Sequence, residues 1–259
     1  MLRVNVTSLL ICLFTLLLGS RGVAAEQQLI EVRFYHFRSA EKAEKFDSMM
    51  KNAALPVAKS EGIGPVGVFK VESSKVLNRD ARVVITPYKS VKQMLALREA
   101  YAEDPEFWPD AQDYLMQERG DPAYDRVESM LLSAFTGMPE LKVPPAKGEK
   151  KRRFELRTYK SENEIQGLLK VKMFNDGEIE LFEKVGLNAV FYGEAVVASN
   201  LPQLTYMVVH EDEEAQAAAW KAFLSHPDWD SLKNDEQYQI IKLKITKHML
   251  VATDYSQIK

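Results

Sequence analysis

Apolar and polar residues alternate along Ile30-Glu31-Val32-Arg33-Phe34-Tyr35, and the same alternation returns at Phe154-Glu155-Leu156-Arg157-Thr158-Tyr159. A period of two carrying Val, Phe, Tyr and Thr predicts β-strands over 29–37 and 153–160. After the first of these, Ala43, Phe46, Met50, Ala53 and Val57 fall at helical spacing, disturbed by Pro56 and stopped at Gly62. After the second, Ile179, Phe182 and Val185 lead to Gly186. Apolar runs then predict a pair of strands in each half, over 66–71 and 82–88 and over 190–198 and 204–210. A further helix in each half carries Val91, Met94, Leu95 and Tyr101, or Trp220, Phe223 and Leu224. Asp104-Pro105 and His226-Pro227 have the form of a cap followed by proline at the first helical position. Final strands are predicted over 127–134 and 245–252.

The two halves repeat each other. Glu31-Val32-Arg33-Phe34-Tyr35 matches Glu155-Leu156-Arg157-Thr158-Tyr159 at an offset of 124 residues, as Gly62-Ile63 matches Gly186-Leu187. The offset drifts to 122 for Pro105 and Pro227, and to 119 for Met130-Leu131 and Met249-Leu250. Such drift is what loop deletions leave behind, since loops tolerate length change. The reading is a tandem duplication, with a first unit over 26–140, a linker over 141–152 and a second unit over 153–259. The basic run within PPAKGEKKRR reads as solvated linker.

Each unit has the order strand, helix, strand, strand, helix, strand, the ferredoxin-like βαββαβ arrangement. In 204–210 both strand faces are apolar, Leu204, Tyr206 and Val208 on one and Met207 and Val209 on the other, so both must be buried. Helices cover one face and the other unit's sheet covers the second. The predicted fold is α+β: two tandem ferredoxin-like repeats whose antiparallel sheets pack into an α+β barrel.

Residues 1–25 read as a leader. Arg3 provides the positive start, Leu9 to Leu18 an apolar run shorter than the ~20 residues of a spanning helix, and Val23-Ala24-Ala25 a cleavage site. The expectation is an exported chain, periplasmic or secreted, cleaved near Ala25 and without stable membrane insertion. Cys12, the chain's only cysteine, leaves with the leader, which excludes disulfides and thiolate chemistry from the mature chain. Loss of Arg3 and Arg21 lowers Lys+Arg from 34 to 32 against 37 Asp+Glu, a net charge of −5 that speaks against a nucleic-acid partner.

The segments FELRTYKSENE, KMFNDGEIELFEKVGLNAVFYGE, NLPQLTYMVV and AWKAFLSHPDWDSL make the second half similar to the NIPSNAP family of the dimeric α+β barrel superfamily. IEVRFYHF, GIGPVGVFKVE and DPEFW make the first half resemble a more divergent copy. Ala189 departs from the family's preferred proline, which Pro65 keeps, and His210 stands where an apolar or aromatic residue is usual. The resemblance implies the barrel fold, and it implies adaptor or signalling roles more than a reaction.

Candidate chemistry is confined to one set. Glu155, Arg157 and Tyr159, with Glu31, Arg33 and Tyr35 at matching positions, share a strand face, and Tyr206 lies on a neighbouring strand. They are expected to point into the space between the sheets as a polar cluster, with Val32, Phe34, Phe154 and Leu156 under the helices. Their plain structural reading is an ion pair. Their functional reading is a polar, tyrosine-lined cavity in which Arg157 clamps a carbonyl or carboxylate. His36, His210, His226 and His248 come from separate elements without metal-ligand spacing, and Phe107, Trp108 and Trp229 read as packing aromatics. No catalytic residue, metal or cofactor is assigned. The expected function is binding of a small ligand or a protein partner, with a homodimer left open. The alternative is a cofactor-independent monooxygenase-like or haem-dependent enzyme, as the superfamily resemblance allows.

Overall fold

In the computed structural model, which describes residues 26–146, 148 and 151–259, the chain begins with β1 (Leu29–His36), α1 (Ala40–Met49), a π-helical turn (Met50–Ala54) and α2 (Leu55–Ser60). It continues through β2 (Gly67–Ser74), β3 (Arg82–Tyr88), α3 (Val91–Glu103), α4 (Phe107–Leu115) and β4 (Arg126–Ala134). The same order follows in β5 (Arg153–Ser161), α5 (Glu164–Met173), a π-helical turn (Phe174–Glu178), α6 (Ile179–Val185), β6 (Asn188–Val197), β7 (Gln203–His210), α7 (Glu213–Leu224), α8 (Pro227–Lys233) and β8 (Leu243–Ala252). The leader assigned to residues 1–25 lies outside the described residues.

Local chemistry sets the element ends. Ser39, Ser90, Asn163 and Asp212 each accept a backbone N–H from the first turn of α1, α3, α5 and α7. The disturbed periodicity before Pro56 is the π-helical turn, through which the helix runs on unbroken into α2 although the proline has no N–H to donate. Gly186 ends α6 in the left-handed conformation (φ 82°) that glycine adopts without steric cost. His226 caps α8 with Pro227 at its start, as expected. Asp104 instead caps the turn before α4, accepting from the N–H groups of Glu106 and Phe107, and the helix starts two residues after Pro105.

The eight strands of the described residues form one closed antiparallel barrel in the order β1-β3-β2-β8-β5-β7-β6-β4. Within each half the order is that of a ferredoxin-like sheet, and the halves join edge to edge at two seams. One seam pairs β2 with β8, from Phe69 opposite Ala252 to Ser74 opposite His248. The other pairs β4 with β6, with Ser133 opposite Glu194 and Ala134 opposite Gly193. Closure leaves no open sheet edge.

The barrel interior is apolar. Ile30, Val32 and Phe34 of β1 meet Phe154 and Leu156 of β5, Met207 of β7 and Leu250 of β8 there, and Phe69 and Phe154 touch across the halves with ring centroids 4.9 Å apart. This reverses the expected facing: the aliphatic set fills the barrel, and the Glu-Arg-Tyr set lies on the outer, helix-covered face. The physical reason is that an eight-stranded barrel is just wide enough for side chains to fill it, leaving no water or spare donors to satisfy buried charge.

Two further cores lie between the sheet and the helices. Phe37, Phe46, Val57, Val68 and Leu97 belong to the first half's core, and Phe174, Phe182, Tyr192, Tyr206 and Phe223 to the second's. The basic run is only partly solvated. Arg152 is buried, donates to the Pro144 carbonyl and lies over the Phe154 ring, while Arg153 pairs with Glu72. Leu141, at the head of the linker, packs against the barrel core. Trp108, expected in packing, is 45% exposed. Among the described residues no helix is long and apolar enough to cross a membrane.

Candidate functional site

On the outer face of β1, Glu31 is the organising group. Its Oε1 accepts from Arg33 Nε (2.8 Å) and Ser129 Oγ (3.0 Å), and its Oε2 from the Tyr88 hydroxyl (3.1 Å). Strand register explains the gathering, because Ser129 of β4 stands opposite Arg33 and Tyr88 comes from β3 on the other side. Arg33 also reaches the Tyr35 hydroxyl at 3.4 Å. Burial works against the guanidinium charge, but Tyr35 and Glu31 outweigh it and shift the group upward, so Arg33 stays cationic. Burial, followed by the Glu31 charge, pushes the Tyr88 hydroxyl up, so it is a donor at neutral pH.

Above this cluster lies a cavity of about 550 Å³ between the sheet and the helices of the first half. Met50, Ala54, Ala58, Val84, Leu97 and Tyr101 supply apolar walls, with Arg98, Leu115 and Tyr124 at an exposed rim. Tyr114 also lines it, and its buried hydroxyl has no hydrogen-bond partner among the described residues. The Tyr192 hydroxyl in the second half is buried without a partner as well.

The second half presents the same framework with the space filled. Glu155 Oε1 accepts from Arg157 Nε at 2.7 Å, and its Oε2 accepts from Gln216 Nε2 (2.7 Å) and Trp220 Nε1 (2.8 Å). His210 Nε2 lies 3.3 Å from the same oxygen, off hydrogen-bond alignment. Burial would raise the Glu155 carboxyl, but His210, Arg157, Trp220 and Gln216 overcome this and hold it at about 2. The Trp220 ring lies 3.6 Å from the Arg157 guanidinium carbon, and the hydroxyls of Tyr159 and Tyr206 bond at 2.7 Å.

The difference follows from side-chain size at matched positions. Strand pairing sets Val84 opposite Arg33 and Tyr206 opposite Arg157, and Val68 opposite Val84 where Tyr192 stands opposite Tyr206. The π-helical turns begin 124 residues apart, at Met50 and Phe174, so Ala54 corresponds to Glu178 and Ala58 to Phe182. Small residues in the first half leave the cavity; Tyr, Phe and Glu close it in the second.

Of the seven residues singled out in the sequence, Glu31, Arg33 and Tyr35 therefore line a cavity. Glu155, Tyr159 and Tyr206 are packed away, and Arg157 borders only an open basic groove beside β8. Tyr88, Ser129 and Tyr114 escaped the sequence reading, and comparison of the halves at Ala54, Ala58 and Arg98 holds the signal for the cavity itself. The four histidines are dispersed: His36 is near Glu128, His210 near Glu155, His226 on its helix cap and His248 bonded to Ser74. Among the described residues no group of three or more His, Cys, Asp or Glu is arranged to hold a metal ion.

Residues 154–257 match the sequence model of the NIPSNAP family. No curated protein matches the chain. Among solved structures it is similar to a monooxygenase-like protein from Lactobacillus acidophilus NCFM, at 9% identity over 88% of this chain and 97% of that one, with a TM-score of 0.55. It is similar also to a monooxygenase-like protein from Fusobacterium nucleatum subsp. nucleatum, at 8% identity over 89% and 96% of the two chains, with a TM-score of 0.52. An uncharacterized NIPSNAP-like domain protein from Burkholderia xenovorans aligns with 42% of this chain and 90% of its own, at 18% identity and a TM-score of 0.36. Identities this low speak for the fold and not for an activity.

Proposed function

We propose that this chain, whose residues 154–257 are a NIPSNAP domain, is a small-ligand binding protein in which the first half holds the ligand and the second is its filled structural counterpart. The observation behind this is the cavity of about 550 Å³ over Arg33, set against Phe174, Phe182 and Trp220 in the corresponding space of the second half. Its size and apolar walls suit a small organic molecule, and its few polar groups suit orientation of one polar end. The barrel closes within one chain, so a second copy is not needed to complete the site. The reading includes export, which rests on the leader-like residues 1–25 and is checked by whether the mature chain's mass begins at Glu26.

An enzyme acting through Arg157 and Tyr159 would need side chains that are already engaged. Trp220 covers the guanidinium, and Tyr159 is spent on Tyr206. Glu31 has a structural task of its own, with Oε1 held by Arg33 and Ser129 and Oε2 in part by Tyr88.

The test is Ala58→Phe, which puts the ring of Phe182 into the first cavity. The wild-type chain is expected to bind the apolar dye anilinonaphthalene sulfonate or to carry a ligand in native mass spectrometry, and the variant to lose this with its melting temperature retained. Equal binding by both proteins sinks the proposal.

A further inference from the structure

Trp220 occupies in the second half the place that is open in the first. β3 and β7 correspond at 122 residues, since Val84 and Tyr206 stand opposite Arg33 and Arg157, and the caps Ser90 and Asp212 of α3 and α7 are 122 residues apart as well. On that register Arg98 corresponds to Trp220 and Met94 to Gln216. Met94 has no donor to take the place of Gln216, and Arg98 is exposed and makes no bond to Glu31, so Glu31 Oε2 keeps only the Tyr88 hydroxyl at 3.1 Å where Glu155 Oε2 has two donors. The guanidinium is likewise uncovered, with the Arg33 side chain 38% exposed against 16% for Arg157 under its indole.

We infer that the first cavity takes a planar aromatic ligand bearing a ring N–H, seated as the Trp220 side chain sits in the second half. The ring lies on the Arg33 guanidinium, and its N–H donates to Glu31 Oε2. This rests on the reading of the cavity as a ligand site and adds the ligand's chemical class. The second half is a worked instance of the complex, with the ligand supplied by the chain. Two independent needs converge on one molecule: a cation face that attracts a π-system, and a carboxylate oxygen with acceptor capacity to spare. Ala54, Ala58 and Val84 provide the room that Glu178, Phe182 and Tyr206 remove in the second half. Arg98, exposed at the rim, leaves the ring's place vacant.

The experiment is calorimetric titration of the full chain with indole, 1-methylindole and naphthalene. Indole is expected to bind, with 1-methylindole weaker by about tenfold or more, because a hydrogen bond to a charged acceptor is lost. Arg98→Trp supplies the ring covalently and is expected to abolish indole binding. Should that variant not fold, Trp220→Gly opens the second site, where indole, and not 1-methylindole, is expected to restore the lost melting temperature. Equal binding of all three probes overturns the ligand class while leaving the cavity a binding site. Binding by none, with Arg98→Trp indistinguishable from wild type, overturns both.

Discussion

Lys170 Nζ lies 2.5 Å from Glu178 Oε2 in the interior of the second half, at positions held by Phe46 and Ala54 in the first. Burial pushes the Glu178 carboxyl up and the ammonium beside it opposes that push, while the same ammonium sits 4.6 Å from the Phe174 ring centroid. The pair is part of what closes the second cavity. Lys170→Met leaves a buried carboxyl unpaired and is expected to cost about 3–5 kcal/mol in urea unfolding. The double variant Lys170→Phe/Glu178→Ala, which installs the first half's pair, is expected to recover most of the loss. A double variant less stable than the single would contradict the matched-position argument.

His248 introduces a pH dependence. Burial alone pulls its imidazole down to about 4, and it is neutral where the Ser74 hydroxyl meets Nδ1 at 2.8 Å beside Phe34. The unfolded chain takes up the proton near 6.5, so it binds more protons than the folded one between about 6.5 and 4. The contribution of His248 is therefore complete above that window and falls as pH drops through it, by on the order of 3 kcal/mol. His248→Gln is expected to flatten this slope in melts across the window. Glu155, held at about 2, steepens the curve of both proteins only below about 4.5, the pH at which the unfolded carboxylate titrates.

Arg82, buried at the start of β3, is gripped by both oxygens of Asp47 on α1, at 2.9 and 2.8 Å, and Tyr255 of the C-terminal tail donates to the same carboxylate at 2.6 Å. Asp47→Ala strands a buried guanidinium and is expected to cost about 3 kcal/mol, against about 1 kcal/mol for Tyr255→Phe, which loses one hydrogen bond. Denaturant midpoints of the two variants give the comparison, and equal losses would mean that the tail contact, and not the ion pair, anchors α1.

Gly193 tests the seam between β4 and β6. A β-carbon there would stand 2.7 Å from Leu132 Cβ, a distance real side chains do not tolerate. Gly193→Val is expected to cost at least about 1–3 kcal/mol, as overpacking does, and to speed amide hydrogen exchange along β4 ahead of β1. Uniform exchange in both strands would show that the seam is no weaker than the rest of the barrel.

The sequence by itself determined most of the elements and their order, though α5 over Glu164–Met173 went unread. The alternation at 30–35 and 154–159, the proline and glycine stops, and the repeat at an offset near 124 are local signals, and local backbone chemistry decided them. It also determined that Glu31, Arg33 and Tyr35 share a face, because a strand's period of two fixes who points together. Which way that face points is a tertiary matter. Both faces of β1 and β5 are buried, and the choice fell to where Glu31 and Glu155 find donors: Ser129 and Tyr88 for one, Gln216 and Trp220 for the other. None of these is near in sequence. The seams at β2–β8 and β4–β6 were equally invisible, since main-chain hydrogen bonds leave no mark on side-chain pattern. Whether a half holds a cavity or a core depended on side-chain volumes at positions such as Ala58 and Phe182, whose meaning appears only when the fold brings them over the same arginine.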